Sequence, residues 1–493
     1  MSDATPRHSE ATPAESTGAT TPGAVGPSDE SGDATATRPR RPRRGRTIAI
    51  VAGALVVAAA IVVTVIVVQP DDEPAGAPVA ATLPVALPAG DLPEGTTVGV
   101  IVTLGPGAEG ADWNGAAQGA LVAERRLELG GADIALATEN DGGTEAGAAD
   151  AVAALVERGV AGIVVASSGP HIVGALSAAA DAGLPVVLPY APVPDGAEGS
   201  VWSTAPDTAS TGAALTEALA GATRTLLVDA GGGAPVGVEI GRTLAATSAA
   251  GDDGLAREVA RLTGSTPPAT ETGDDVSATA SQEEDPVADP SDAVLVSGSA
   301  ARLADVVARL QTADLAVPVV LTADATSPAF SSGLTADGAS LSGSLVTVGP
   351  ETGDATALRG DAAGRSVSAF LGGVRVLAQD PDAVNLTDDQ PFTAVAGAAD
   401  ARSHDAVVAL VRAVEASGSI EPGAVGDALG DLALGASDGI AGPELDFSSA
   451  QALGGEVTVL NASSQDLGLR PTADDGSTSL IWFAGPATTP AAG

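Results

Sequence analysis

The sequence predicts an α/β fold in which buried parallel strands alternate with helices. Short apolar runs, among them Val98–Val102 and Gly162–Ala166, are each followed by a loop and a stretch of helical length. Strands that are apolar on both faces are typical of parallel sheets covered by helices on both sides. The same alternation begins again near Thr225. We therefore expect two α/β lobes with a cleft between them, and clefts of this kind are where small-molecule sites concentrate.

The first run of elements occupies residues 97–192. Its predicted strands are Val98–Val102, Asp133–Thr138, Gly162–Ala166 and Pro185–Leu188, and its predicted helices are Ala116–Leu129, Ala146–Arg158 and Ile172–Ala182. In sheets of this type ligands bind where loops leave the carboxyl ends of the strands. The loops after the first, third and fourth strands are therefore the first candidates for a binding site.

The second run begins with a helix at Thr211–Leu219 and a strand at Thr225–Val228, followed by a Gly-rich turn. We predict further strands at Ala256–Leu262, Ala293–Val296, Pro318–Thr322, Gly343–Val348, Leu445–Phe447, Gly455–Asn461 and Leu480–Phe483, the last two as a hairpin or edge pair. We predict further helices at about Gly237–Ser248, Ala301–Gln311, Val367–Ala378 and about Ala398–Ser417. Residues 263–291 are rich in Thr, Ser, Pro and acid, which favours a disordered surface loop.

The N-terminal quarter predicts a membrane anchor. Residues 1–46 read as a disordered cytoplasmic tail that ends in the basic cluster Arg38–Arg46, and residues 47–68 as a transmembrane helix. The apolar stretch Ile48–Val68 spans roughly 30 Å, the thickness of the hydrocarbon core. Arginines before it and acids after it predict a cytoplasmic N-terminus and an extracellular C-terminal part. A cleaved signal peptide is the alternative, although its apolar region is shorter and lies nearer the N-terminus.

The composition excludes several classes of function. A formal net charge of −41, without any lysine, is unfavourable for nucleic-acid binding. The chain has no cysteine, so disulfides, thiolate metal sites and cysteine nucleophiles are excluded. Its three histidines are isolated, and neither a metal-binding spacing nor a nucleophile-elbow motif is present. We therefore predict no catalytic residues, no metal and no cofactor, and a protein that is not an enzyme. A surface hydrolase is the alternative with the least support.

Several segments of the exterior part resemble a known family. They are Trp113–Ala116, Gly183–Pro189, Val228–Asp229, Gly343–Thr347, Arg402–Asp405 and Gly442–Asp446. Together with the order of elements from Thr97 to Phe483, they resemble the type I periplasmic binding proteins, in particular the leucine/isoleucine/valine-binding group of ABC-transporter receptors. The resemblance implies a solute-binding domain over residues 96–485, with lobe I at about 96–205 and 348–440 and lobe II at about 206–346 and 441–485. A Pro- and Ala-rich linker, residues 69–95, precedes this domain, and a loose tail, residues 486–493, follows it.

The resemblance also implies which loops hold the ligand. The family grips a carboxylate and an ammonium, and the matching ligand-binding positions in this sequence are Ser167, Ser168, Gly169, Tyr190, Ala191 and Asp324. The two serines can instead cap the following helix, Asp324 can be a turn carboxylate, and Tyr190 can serve packing alone. The sequence departs from the family at Pro192, where a Ser or Thr is usual. It departs again in the loops 231–234 and 298–300, which lack the aromatic clamp residues.

Together these observations predict a membrane-anchored extracellular solute-binding protein. It would bind a small ligand, an amino acid or a related compound, between its lobes and present it to the permease of an ABC-type transporter. The alternative is an extracellular sensor or cell-surface interaction module that uses the same fold without transport.

Overall fold

Two mostly parallel sheets organise the residues that the computed structural model describes. These are residues 84–471 and 480–485, apart from residues 106, 109, 198, 249–251, 266–286 and 342–343. The described residues all belong to one structural unit, Pro78–Gly493. The predicted tail, transmembrane helix and disordered insert lie outside or mostly outside the described residues. No helix within the described ranges is long and apolar enough to cross a membrane.

The first sheet is entirely parallel. Within the described residues it contains β1 (Thr97–Val102), β2 (Ala135–Asn140), β3 (Gly162–Val165), β4 (Val186–Leu188) and β5 (Val201–Ser203), in the order β2-β1-β3-β4-β5. The central strands are apolar on both faces and β3 is fully buried, as expected for a sheet sandwiched between helices. We call the part of the chain built on this sheet lobe I.

The second sheet, the core of lobe II, is parallel except at one edge. Its described strands are β6 (Thr225–Asp229), β7 (Arg242–Ala245), β8 (Ala293–Ser297), β9 (Val319–Leu321) and β10 (Val346–Pro350), joined after the short pair β11 (Ala433–Leu434) and β12 (Leu445–Asp446) by β13 (Val457–Ser463) and β14 (Ile481–Ala484). The order is β14-β13-β10-β9-β8-β6-β7. β13 runs antiparallel to both of its neighbours, which confirms the predicted C-terminal hairpin.

Helices flank both sheets. In chain order the described helices are α1 (Asn114–Ala117), α2 (Gly119–Leu129), α3 (Glu145–Glu157), α4 (Ile172–Ala182), α5 (Thr208–Ala218), α6 (Asp252–Thr263), α7 (Ala300–Leu310), α8 (Pro328–Ala336), α9 (Ala362–Ala378), α10 (Ala401–Ser417) and α11 (Pro422–Gly430). α10 is the central helix of lobe I: most of its residues are buried, and it packs on α2 and on the first sheet.

Two adjacent predictions in lobe II are wrong. The helix predicted at about Gly237–Ser248 is a loop followed by β7 and a single helical turn, and the strand predicted at Ala256–Leu262 is part of α6. The buried apolar residues of α6 recur as two pairs four residues apart, Leu255 with Ala256 and Val259 with Ala260. This is a helical period rather than the alternation of a strand.

The chain crosses between the lobes later than the predicted boundaries at 346–348 and 440–441. β10 pairs with β9, so residues 346–350 belong to lobe II. The segment after β12 still packs in lobe I, because Leu445, Phe447 and Ala452 are part of its hydrophobic core. A bridge between Ser203 and Gln451 places two of the crossing segments side by side.

Part of the predicted linker is bound to lobe I. The side chain of Leu87 is 6% exposed, and its backbone N–H donates to the carbonyl of Arg126 at 2.7 Å. Arg126 donates from Nε to the Val85 carbonyl at 3.0 Å, and Arg412 donates to the Pro88 carbonyl at 2.9 Å. These contacts fix the entry of the chain into lobe I. The earlier linker residues, 69–83, lie outside the described ranges.

Candidate ligand-binding cleft

A cavity of about 360 Å³ lies between the two lobes. Lobe I lines it with aromatic, apolar and cationic side chains, Trp113, Tyr190, Pro192 and Arg402. Lobe II lines it mainly with small and hydroxylated residues and one acid, Gly232, Ala234, Thr322 and Asp324. The cavity therefore has the size and mixed polarity of a small-molecule site.

The lobe I wall is a rigid aromatic pair. The rings of Trp113 and Tyr190 stack with centroids 4.5 Å apart and planes 7° apart. Trp113 donates from Nε1 to Ser168 Oγ at 3.1 Å, and the Tyr190 hydroxyl donates to Asp400 Oδ1 at 2.7 Å. Burial, together with the Asp400 carboxylate, raises the pKa of Tyr190 well above its ordinary value, so the hydroxyl keeps its proton and remains a donor.

Arg402 lies against this pair at the beginning of α10. Its Cζ is 4.5 Å from the centroid of Trp113 and 4.8 Å from that of Tyr190, within the range of a cation–π contact. Its Nε donates to Asp400 Oδ2 at 2.9 Å. Asp400 is also the N-cap of α10, because its Oδ1 accepts from the backbone N–H of Ser403 at 3.1 Å. One carboxylate thus positions the helix, the tyrosine and the arginine.

Asp324 faces the cleft from lobe II, on a single helical turn after β9. Burial raises the pKa of this carboxyl to about 6, and the neighbouring Asp112 adds to the effect. In the described part of the chain no other residue donates a hydrogen bond to it. The hydroxyl of Thr322 beside it is buried and has no hydrogen-bond partner there. These are unused polar groups of the kind that bind a ligand.

The Gly-rich loop after β6 forms the rest of the lobe II wall. The Asp229 carboxylate accepts from the backbone N–H groups of Gly233 and Gly231 at 3.0 and 2.8 Å, and these bonds lower its pKa. At Gly232, a Cβ atom would lie 2.6 Å from the backbone nitrogen of Gly298, so the two loops pack through their backbones. The loops 231–234 and 298–300 therefore form this wall without large side chains, and none of their described residues adds an aromatic ring.

The predicted site residues after β3 have internal partners. Ser167 is fully buried; its Oγ lies 2.6 Å from Thr103 Oγ1 and 3.1 Å from His171 Nε2. His171 Nε2 also lies 3.1 Å from Asp141 Oδ2. A nucleophilic relay needs the two ring nitrogens to face the acid and the hydroxyl separately, whereas here one nitrogen faces both. The network joins the ends of β1, β2 and β3.

The loop after β1 packs directly on the loop after β3. At Gly110, whose φ is +93°, a Cβ atom would lie 2.1 Å from Ser167 Oγ. Only a glycine fits this close approach, and it closes the loop after β1 over the loop after β3.

The structure brings together only part of the predicted site. Tyr190 and Asp324 line the cleft from opposite lobes. Ser167, Ser168, Gly169 and Ala191 are absent from its described lining, and Ser168 serves Trp113. Their contact with a ligand stays a prediction. Arg402 and Asp400 are not among the residues that the sequence predicted for the site. The only available signal was a charged pair at the start of the long helix.

A smaller cavity of about 260 Å³ lies on the other side of Arg402. The half-buried carboxylate of Asp354 receives two bonds there from Arg470, at 2.6 and 2.8 Å, and Arg470 also donates to the carbonyl of Ala399 at 2.7 Å. Asp354 and Arg470 are thus paired with each other. No group of three or more His, Asp or Glu residues suited to a metal occurs within the described ranges.

The two lobes also touch directly. Asp112, on the single helical turn before α1, accepts from the backbone N–H of Ala301 at 3.2 Å with its carboxylate. Its carbonyl accepts from Ser327 Oγ at 2.5 Å. Ser299, the N-cap of α7, makes no side-chain capping bond. A lobe I carboxylate therefore supplies the cap of a lobe II helix.

No protein-family model matches the chain, and no curated protein matches it. Solved structures do. A solute-binding protein of an ABC transporter from R. palustris, in complex with 4-hydroxybenzoate, aligns with a TM-score of 0.52 and 15% identity over 79% of this chain and 97% of its own. The leucine-binding protein LivK from Thermotoga maritima gives 0.51 and 15% over 74% and 95%.

A third structure is the branched-chain amino acid transporter substrate-binding protein LivJ from Streptococcus pneumoniae, in complex with isoleucine. It aligns with a TM-score of 0.50 and 16% identity over 75% of this chain and 96% of its own. The resemblance of elements noted in the sequence is thereby confirmed in three dimensions: the described lobes have the type I periplasmic-binding-protein fold.

Proposed function

We propose that this chain is an extracellular solute-binding protein that holds a small ligand between its lobes. The observation that carries the proposal is the cavity between the lobes, lined by Tyr190 and Arg402 on one side and by Asp324 on the other. Structures with the same fold hold 4-hydroxybenzoate and isoleucine. Ligand capture between hinged lobes is the common use of such a cleft.

The remaining parts of the proposal come from the sequence. The apolar segment Ile48–Val68 would anchor the chain in the cell membrane, with the cleft outside. Presentation of the ligand to an ABC-type permease rests on the kind of protein that shares the fold. Tyr190 and Asp324 belong to the proposed site, and ligand contact by Ser167, Ser168, Gly169 and Ala191 remains a prediction from the resemblance.

One observation favours a second candidate, a sensor or interaction module without transport. The lobe II loop after β6 adds only Gly, Ala, Pro and Val to the cleft, so this loop offers a ligand neither a polar side chain nor an aromatic ring. In that case the cleft would still bind a ligand, but the protein would not deliver that ligand to a permease.

A thermal-shift experiment on the purified full chain tests ligand binding. The probes are 4-hydroxybenzoate, isoleucine and leucine, each titrated upwards. A ligand that binds only the folded chain stabilises it by about 2.7 kcal/mol at a hundredfold excess over its Kd, so we expect Tm to rise with the logarithm of the concentration of at least one probe.

Two alanine-to-tryptophan substitutions at exposed positions, one in the cleft and one outside it, separate a specific effect from a non-specific one. Ala234→Trp places a large ring in the cleft and should abolish the rise in Tm. Ala336→Trp, at the exposed end of α8, should leave it intact. An unchanged Tm with all three probes, or an equal rise in both variants, would count against the proposed function.

A further inference from the structure

The side chain of Arg402 lines the cleft and also the smaller cavity beside it. Its Nε is bonded to Asp400 and its plane lies against two rings. Across the described residues, Nη1 and Nη2 donate no hydrogen bond. The side chain is 13% exposed and lines the cavity. Arg402 is thus held in place. The outer edge of its guanidinium, formed by the two terminal amino groups, donates no hydrogen bond to a described residue.

A structural role alone does not use this edge. Stacking on Trp113 and Tyr190 involves the face of the guanidinium, and the bond to Asp400 involves Nε. Two parallel N–H groups of a guanidinium match the two oxygens of a carboxylate, and such bidentate pairs are stronger than neutral hydrogen bonds. Since the side chain is already ordered, little conformational entropy remains to be lost on binding.

The hydroxyls that the sequence suggested for a carboxylate have other partners. Ser167 is buried in the network with Thr103 and His171, and Ser168 accepts from Trp113. Arg402 is the cation that lines the cleft within the described residues. An anionic group that enters the cleft therefore finds its complementary charge at the start of α10, not at the loop after β3.

The opposite wall limits the charge of the ligand. Asp324 is on that side, and repulsion by the carboxylate of Asp112, which reaches it from lobe I, contributes to its raised pKa. A second negative charge on the ligand would add to this repulsion. A cavity of about 360 Å³ also restricts the ligand to a small molecule.

We propose that the terminal amino groups of Arg402, rather than the hydroxyls of the loop after β3, bind the carboxylate of the ligand in this cleft. The inference rests on the proposed function, since it names the recognition residue of the same site.

Matched acid and amide probes test it on the full chain. The pairs are 4-hydroxybenzoate with 4-hydroxybenzamide and isoleucine with isoleucinamide, titrated by calorimetry. For a pair whose acid binds, we expect the amide to bind at least tenfold more weakly to the wild type, because a site built for a charged acceptor rejects the neutral analogue.

Two substitutions complete the cycle. Arg402→Gln should weaken the acid at least tenfold and leave the amide unchanged, so that the two bind alike, and Arg402→Lys should restore part of the preference for the acid. Arg158→Gln removes the same charge at an exposed site of lobe I and should change neither affinity. The cycle isolates the contact between the carboxylate and Arg402 from a general loosening of the site, which would weaken acid and amide equally.

The outcomes separate the two proposals. Equal binding of acid and amide to the wild type, or equal losses of both in Arg402→Gln, overturns the carboxylate assignment and leaves the proposed function standing. If no probe binds the wild type, the proposed function and this inference both fall.

Discussion

At the scale of a single residue, Asp324 lowers the stability of the folded chain at neutral pH and leaves a carboxylate available to bind a ligand. Its half-buried carboxyl accepts no hydrogen bond from another described residue, and its pKa is raised to about 6 from an ordinary value of 3.8. Burial without a partner penalises the charged form. At neutral pH the folded chain therefore carries an unfavourable charge that a ligand donor can neutralise.

The sign of the pH dependence follows from this shift. Between about pH 4 and pH 6 the folded chain binds a proton at Asp324 that the unfolded chain has released, so the free energy of unfolding falls as the pH rises through this window. Asp324→Asn should raise the free energy of unfolding by about 1–3 kcal/mol at pH 7.5, at 1.36 kcal/mol per pKa unit, and by much less at pH 4. Urea unfolding at both pH values measures this.

A matched substitution on the surface of the same lobe serves as control. Asp337→Asn, at an exposed position after α8, should change the free energy of unfolding by less than about 0.5 kcal/mol at either pH. A gain for Asp324→Asn that is the same at pH 4 and pH 7.5 would show that the carboxyl is not the source of the effect.

The sequence predicted only part of the cleft lining. Tyr190 and Asp324 lie at strand-end loops that line the cleft, and their contact with a ligand stays a prediction. Arg402 comes from the N-terminal end of a helix, and it reaches Trp113 across a sequence separation that no local pattern encodes. Ser167 lies at the expected strand end but is absent from the described lining of the cleft, and its Oγ faces Thr103, 64 residues away, a partner that no local pattern indicates.

At the scale of the elements, α2 and α10 define how closely lobe I is packed. Asp400, the cap of α10, donates from its backbone N–H to the Ala116 carbonyl at 3.1 Å, and Ser403 Oγ donates to the same carbonyl at 2.9 Å. Gly119, the first residue of α2, lies directly beneath them. A Cβ atom there would stand 1.9 Å from the Asp400 carbonyl oxygen and 2.5 Å from Ser403 Oγ.

Gly119→Ala should therefore destabilise the protein although alanine favours helices. Overpacking costs roughly 1–3 kcal/mol, which outweighs a propensity gain of about 1 kcal/mol, and movement of Asp400 should also weaken ligand binding through Arg402. Gly423→Ala in α11 is the control, since its Cβ meets nothing within 4 Å; it should be neutral or stabilising. Similar urea midpoints for the two variants would contradict the close approach.

Most elements were predictable because burial on both faces leaves a clear pattern, as the fully buried β3 shows. The pair β7 and α6 was predicted in reversed order for a physical reason. β7 is an edge strand whose residues are only half buried or exposed, so its sequence lacks the apolar run of a central strand. Likewise, Leu87 packs into lobe I although its Pro-rich surroundings suggested a free linker.

At the scale of the whole molecule, Asp112 couples the position of the lobes to the cap of one helix. Its carboxylate accepts from Ala301 at the start of α7, whose own N-cap residue makes no side-chain bond. The bond exists only while the lobes are this close. Breaking this bond therefore changes the free-energy difference between the closed and the open arrangement of the lobes. It does not change the stability of either lobe.

Asp112→Ala should accordingly favour the open arrangement. Loss of an N-cap costs about 0.5–2 kcal/mol, a factor of roughly 2 to 30 in the closed population, so we expect a larger radius of gyration in small-angle scattering and a weaker affinity for any cleft ligand. Thr144→Ala is the matched control, because it removes the cap of α3, a bond of 3.0 Å to Gly147 within lobe I. That variant should lower the urea midpoint without changing the scattering. If both variants scatter like the wild type, the contact of Asp112 with Ala301 does not hold the lobes together.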